Sequence, residues 1–188
     1  MSPRAGIDIH IVMKVVINIA DQHGAGAVTI ASVAKELGIK SPSLYNHISG
    51  LDELKKKLAI YAMDELHHYI AQAVKGKNGE AAIHDFAISY ISYAREHPGL
   101  YEATQFAPEG EDAEINEASY RIVSLVMDLL QSYHLPQKQA LHTIRGLRSL
   151  VHGFATLERQ GGFRIPLDLQ ESLEYNLELF LKGLSYYS

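Results

Sequence analysis

TIASVAKELGIKSPSLYNHISGLDEL, residues 29–54, is the stretch whose reading decides the fold. Thr29 stands before the apolar series Ile30, Val33, Ala34 and Leu37, which predicts an N-cap and a one-faced helix of two turns. Ala34 is small where two helices must approach closely, and Gly38 can supply the positive φ of a tight turn. Ser41-Pro42 restarts a helix, with Ser as N-cap and Pro at the first helical position. Leu44 and Ile48, four apart, face inward with Ile39. Ser43, Tyr45, Asn46 and His47 are left outward, beside Lys40 and Ser41 at the helix entrance. A long third helix opens at Leu51.

Two short helices joined by a Gly turn, the second presenting its N-terminal residues, form the layout of a helix-turn-helix that enters a major groove. The residue types suit that task. Lys40 and the Ser hydroxyls can meet phosphates, and N–H groups at a helix start favour an anion. Ser43 and Asn46 can exchange hydrogen bonds with base edges, and Tyr45 can reach a phosphate or a thymine methyl. Lys55, Lys56 and Lys57 can touch the flanking backbone. From spacing alone, a short helical pair with a polar outer face is the competing interpretation.

Outside this stretch the chain reads as helix almost throughout. Ile11, Val12, Val15, Val16 and Ile19 repeat at helical spacing and predict a helix ending near Gly24. Breaks are expected at Lys75–Gly79, at His97-Pro98-Gly99, at Pro108–Gly110, at Leu135-Pro136, and from Gly161 to Pro166. The expectation is an all-α fold of about nine helices, with a DNA-binding domain over 1–50 and a helical ligand-binding and dimerisation domain over 51–188.

Composition bounds the function classes. The 188 residues carry a net charge of −5, unevenly spread. Residues 1–57 hold seven Lys/Arg against five Asp/Glu, and the remainder ten against seventeen. A mildly basic N-terminal module on an acidic body suits phosphate contact at one end. Cysteine is absent, which removes disulfides, thiolate metal sites and thiol nucleophiles, and fits a reducing cytosol. No apolar run approaches the roughly 18 residues a membrane span needs, and no signal peptide is visible, so a cytoplasmic protein is expected.

The segment from Ile11 to Leu54 resembles the N-terminal domain of TetR-type bacterial transcriptional regulators. The matching features are Val28-Thr29-Ile30, Val33-Ala34-Lys35-Glu36-Leu37-Gly38, Ser43-Leu44-Tyr45-Asn46-His47-Ile48 and Asp52-Glu53-Leu54. The resemblance implies that Thr29 and Lys40, Ser41, Pro42 and Ser43 approach DNA, with Tyr45 and His47 on the backbone or base edges. Pro3-Arg4 resembles the basic arm of some members, which adds Arg4. Leu51 stands where many members have a phosphate-touching Lys, so that contact passes to Lys55 or is lost. Ile48 replaces the usual Phe.

RGLRSLVHGFATLERQGGF, residues 145–163, resembles a C-terminal module of a subset of these regulators, lacking its usual Trp. The family implies an operator on double-stranded DNA, a homodimer and a small-molecule effector. The expected dimer helices span 138–160 and 168–186, with seams at Leu141, Ile144, Leu147, Val151, Phe154 and at Leu169, Leu173, Leu177, Phe180, Leu184. Tyr61, His67, Phe86, Tyr90, Tyr93, Phe106, Met127 and His142 are the candidates for an effector pocket between helices four and seven. Such aromatic stripes also suit an ordinary core.

The competing function is a metal-dependent helical phosphohydrolase. It would use His84-Asp85 with His67 or His68 and Asp128, of which only the order along the chain fits. A ligand-independent regulator and a protein-binding helical adaptor are further alternatives. No Ser-His-Asp arrangement, phosphate-cradling loop or dinucleotide fingerprint is present, so no catalytic residue, metal or cofactor is assigned.

Overall fold

A computed structural model describes residues 7–108 and 110–186. The described residues are all-helical, without a strand, in nine helices: α1 (Ile9–His23), α2 (Ile30–Glu36), α3 (Ser41–Leu44), α4 (Leu51–Ala73), α5 (Gly79–Glu96), α6 (Pro98–Ala103), α7 (Ala113–Leu129), α8 (Gln137–Arg159) and α9 (Leu169–Tyr186). Each expected break coincides with a junction between helices. Among the described residues no helix is long and apolar enough to cross a membrane.

The contacts divide the chain into two compact units. The first takes the chain up to Asp64 together with His97–Ala118; the second takes Glu65–Glu96 and the chain from Ser119 on. In the first, α6 packs on α1. Gly99 makes that approach possible. A Cβ there would stand 1.7 Å from the carbonyl oxygen of Ala20, so only glycine fits. His97 Nδ1 meets Asp21 Oδ1 at 3.2 Å beside it. The core of this unit gathers Val12, Val16, Ile19, Val28, Val33, Leu44, Leu54 and Leu58.

In the second unit α5 is the central helix, with α8 and α9 packed on it. That arrangement corrects the expected dimer seams. Ile144, Leu147, Val151, Leu173, Leu177 and Leu184 are buried within the chain, because the strongest apolar stripe of each helix turns inward. Of the expected seam residues Leu141 on α8 stays exposed, and the other large apolar side chains left exposed are Leu157 on α8, Tyr175, Leu179 and Tyr186 on α9, and Phe163, Ile165 and Leu167 between them. Only Tyr45 and Tyr120 join them among the described residues, so exposed apolar surface concentrates on the last two helices.

The His84-Asp85 pair is spent on this packing. His84 Nε2 lies 2.7 Å from Glu174 Oε2 and so ties α5 to α9. Asp85 is bonded to Lys77 and stands 3.4 Å from His84 Nδ1. Among the described residues no three His, Asp or Glu side chains are grouped to hold a metal.

Candidate nucleic-acid interface

Backbone hydrogen bonding explains why residues 29–48 hold their shape. Thr29 Oγ1 accepts from Ser32 N–H at 3.0 Å, while Thr29 N–H donates to Ser32 Oγ at 2.9 Å. This reciprocal capping box satisfies two amides at the start of α2. Its second member, Ser32, was not singled out in the sequence, although the Thr-x-x-Ser spacing carries the signal. At the other end Gly38 takes φ +67°. Gly38 N–H donates to Lys35 O at 3.1 Å and Ile39 N–H to Ala34 O at 3.0 Å, closing the helix in a Schellman turn. Val33 and Ala34 are buried beneath it.

Helix α3 begins one residue earlier than the sequence suggests. Lys40 is the N-cap, and Ser41 and Pro42 are its first two helical residues. Its α-helical hydrogen bonding stops at Leu44. The chain then continues in tighter turns, Asn46 N–H to Ser43 O at 3.3 Å and His47 N–H to Leu44 O at 2.9 Å. Leu44 is fully buried and Ile48 nearly so, and these two anchors fix the rotation of the segment. With them inward, Lys40, Pro42, Ser43, Tyr45 and Asn46 are exposed, while Ser41 and His47 are half-buried. Tyr45 is 55% exposed, unusual for an aromatic side chain packed in a small module. Thr29 is exposed at the start of α2. Arg4 lies outside the described residues.

A second anchor sets the helix that follows. Glu53 Oε2 accepts from Ser49 N–H at 2.6 Å and from Ser49 Oγ at 2.8 Å. The backbone bond from Ser49, then its hydroxyl, hold the Glu53 carboxyl below its ordinary range. The three lysines of α4 differ in use. Lys56 is paired with Asp112 at 2.7 Å and with Glu114, bonds that raise its pKa. Lys57 lies 3.6 Å from Glu53. Lys55 has no ion pair among the described residues. Leu51, half-buried, opens the helix as an apolar residue. Nothing in the sequence signalled that Asp112 and Glu114 would take Lys56, since they lie far along the chain.

The effector candidates fall into several places. Phe86, Tyr90 and Tyr93 are buried on α5 in the second unit. The rings of Phe86 and Tyr90 lie 5.9 Å apart, and Tyr93 meets Tyr69 edge-on at 5.6 Å. His67 and Met127 are half-buried in the same unit. Tyr61 and Phe106 are half-buried in the first unit. His142 is exposed and lines a groove between α8 and α9.

A family model described as "Tetracyclin repressor-like, C-terminal domain" matches residues 83–180. Among curated proteins the chain is 37% identical over 185 residues to the uncharacterized HTH-type transcriptional regulator YobS of Bacillus subtilis strain 168, covering 98% of this chain and 96% of that one. Among solved structures it resembles a protein of unknown function from Rhodococcus sp. RHA1, with a TM-score of 0.78 at 20% identity over 98% and 100% of the two chains. It also shares the fold of a single-substitution variant of TetR from Acinetobacter baumannii AYE, solved in complex with minocycline, with a TM-score of 0.70 at 16% identity over 96% and 98%.

Proposed function

The chain belongs to the TetR family of transcriptional regulators, and we propose that it is a homodimeric repressor that grips a palindromic operator and releases it when a small molecule binds. The observation that carries this reading is the exposed row Lys40, Pro42, Ser43, Tyr45 and Asn46 on a segment locked from behind by Leu44. Such a row, rich in hydrogen-bonding groups and poor in aliphatic surface, suits a groove edged by phosphates better than a protein face. Tyr45 and His47 meet the sugar-phosphate backbone or base edges, and Ser43 and Asn46 face base edges. Lys40, Ser41, Thr29 and Lys55 neutralise or bind phosphates.

In this reading residues 1–50 bind DNA, and 51–188 carry the effector and the dimer contacts. Two copies pair through α8 and α9, whose exposed Leu141, Tyr175 and Leu179 favour burial against a mate. A two-fold pair presents two readers to successive major grooves, and two weak half-site contacts then add. The effector is assigned to the aromatic row of α5, with His67 and Met127 as further contacts. It acts by preferring a conformer in which the two readers are wrongly spaced. Only its affinity difference between conformers can do that work. α4 begins at Leu51, directly after the reader, and runs on into the second unit, so it is the natural lever. The protein works in the cytoplasm, where its DNA is, and needs no cofactor or catalytic group.

Footprinting on DNA fragments selected by the protein from its own genome tests the reading. Protection of two inverted half-sites about one helical turn apart is expected. A single unpaired footprint would reject the palindrome and the paired readers.

A further inference from the structure

We infer that the connection between α8 and α9 is an arm that reaches into a second copy of the chain, its Ile165 and Leu167 seating in that copy's α8–α9 groove. This rests on the dimer proposed above and adds the contact that locks it. The arm is short and apolar where loops are ordinarily polar. Ile165 is 74% and Leu167 69% exposed. Phe163 is less exposed, its ring packing 5.3 Å from that of Phe154 on the same chain's α8. Gly162 N–H also donates to Leu157 O at 2.7 Å, fixing the base of the arm.

The groove has a volume of about 470 Å³ and is lined by Leu135, His142, Leu179, Phe180 and Gly183 among others. Its lining pairs the start of α8 with the end of α9, so the two helices run antiparallel and the groove lies at the end remote from the arm. From Thr143 to Arg159 the helix extends about 24 Å, and from Leu169 to Leu179 about 15 Å. Ile165 is two residues from Phe163, and Leu167 two from the start of α9, which allows each about 7 Å of reach. The arm therefore cannot occupy its own groove. A two-fold axis perpendicular to the α8–α9 pair solves this, since it sets the arm end of one copy beside the groove end of the other. Charge agrees with that pairing. Exposed Lys138, Arg145 and Arg148 add positive charge to α8 and exposed Glu171 adds negative charge to α9, while Glu174 and Glu178 are bonded to His84 and Lys182 of the same chain.

The chain has no cysteine, which permits a direct test. Leu167→Cys is placed in one tagged copy and Gly183→Cys in a differently tagged copy; a Cβ at Gly183 meets nothing within 4 Å. After mixing and mild oxidation, a disulfide-linked heterodimer is expected, with none when Tyr120→Cys replaces Gly183→Cys. Ile165→Asp with Leu167→Asp, both exposed in the single chain, is expected to raise the dimer dissociation constant by about 100-fold with unchanged helical circular dichroism. A wild-type dimer by light scattering that forms no such disulfide, and whose dissociation constant the arm variant leaves unchanged, overturns the arm and leaves the dimer standing. A wild-type monomer at micromolar concentration overturns both.

Discussion

Single side chains in the reader divide into those that hold its shape and those that face outward. Thr29 does both, being exposed and also the N-cap of α2. Thr29→Ala is expected to cost about 1 kcal/mol of stability, measured by urea unfolding. Tyr45→Ala touches no packing anchor. It should leave the unfolding midpoint in place and weaken operator binding about tenfold or more, read by gel shift. Lys40→Ala should lower the slope of log affinity against log salt by about one, as loss of a phosphate contact does. The shape of the segment was legible in the sequence because it depends on neighbours within a few residues: a cap, a turn glycine, two apolar anchors four apart. The pairing of Lys56 with Asp112 and Glu114 was not legible, because it joins parts of the chain more than fifty residues apart and no local spacing encodes it.

Between elements, two contacts make claims that solution measurements can check. Gly99 lets α6 lie on the last turn of α1, so Gly99→Ala drives a methyl into the Ala20 carbonyl. A loss of about 1–3 kcal/mol in urea unfolding is expected, large for so small a change. The bridge between α5 and α9 is pH-sensitive. Burial works against charge on His84, yet bonds to Glu174 and Asp85 outweigh it and raise the pKa above 6.5. A folded-state value above the unfolded one adds stability that is complete below about 6.5 and fades as pH rises through the folded value. Amide protection of α9, corrected for intrinsic exchange, should thus fall as pH rises above about 6.5, and His84→Ala should abolish that dependence. The helix breaks were legible because Pro and Gly act locally. The direction each apolar stripe faces was not. Leu147 and Leu173 read as a dimer seam, and the packing of α8 and α9 onto α5 makes them core.

At the scale of the whole molecule, the segment locked by Leu44 early in the chain is followed by two final helices that, with their connection, carry most of the exposed large apolar side chains among the described residues. Family membership rests on the 37% identity to an HTH-type transcriptional regulator along nearly the whole chain. The acidic balance of the body does not oppose DNA binding, since the reader's own charges are local, and Lys40 and Lys55 form no ion pair among the described residues. The most direct measurement is fluorescence anisotropy of the purified protein against the duplex upstream of its own coding sequence, with a scrambled duplex as control and Tyr45→Ala in parallel, over a salt series. Selective binding to the upstream duplex is predicted, falling steeply with salt and largely lost in Tyr45→Ala. Equal affinity of wild type and Tyr45→Ala for a duplex that the protein selects would contradict the assignment of residues 40–47 as the reader.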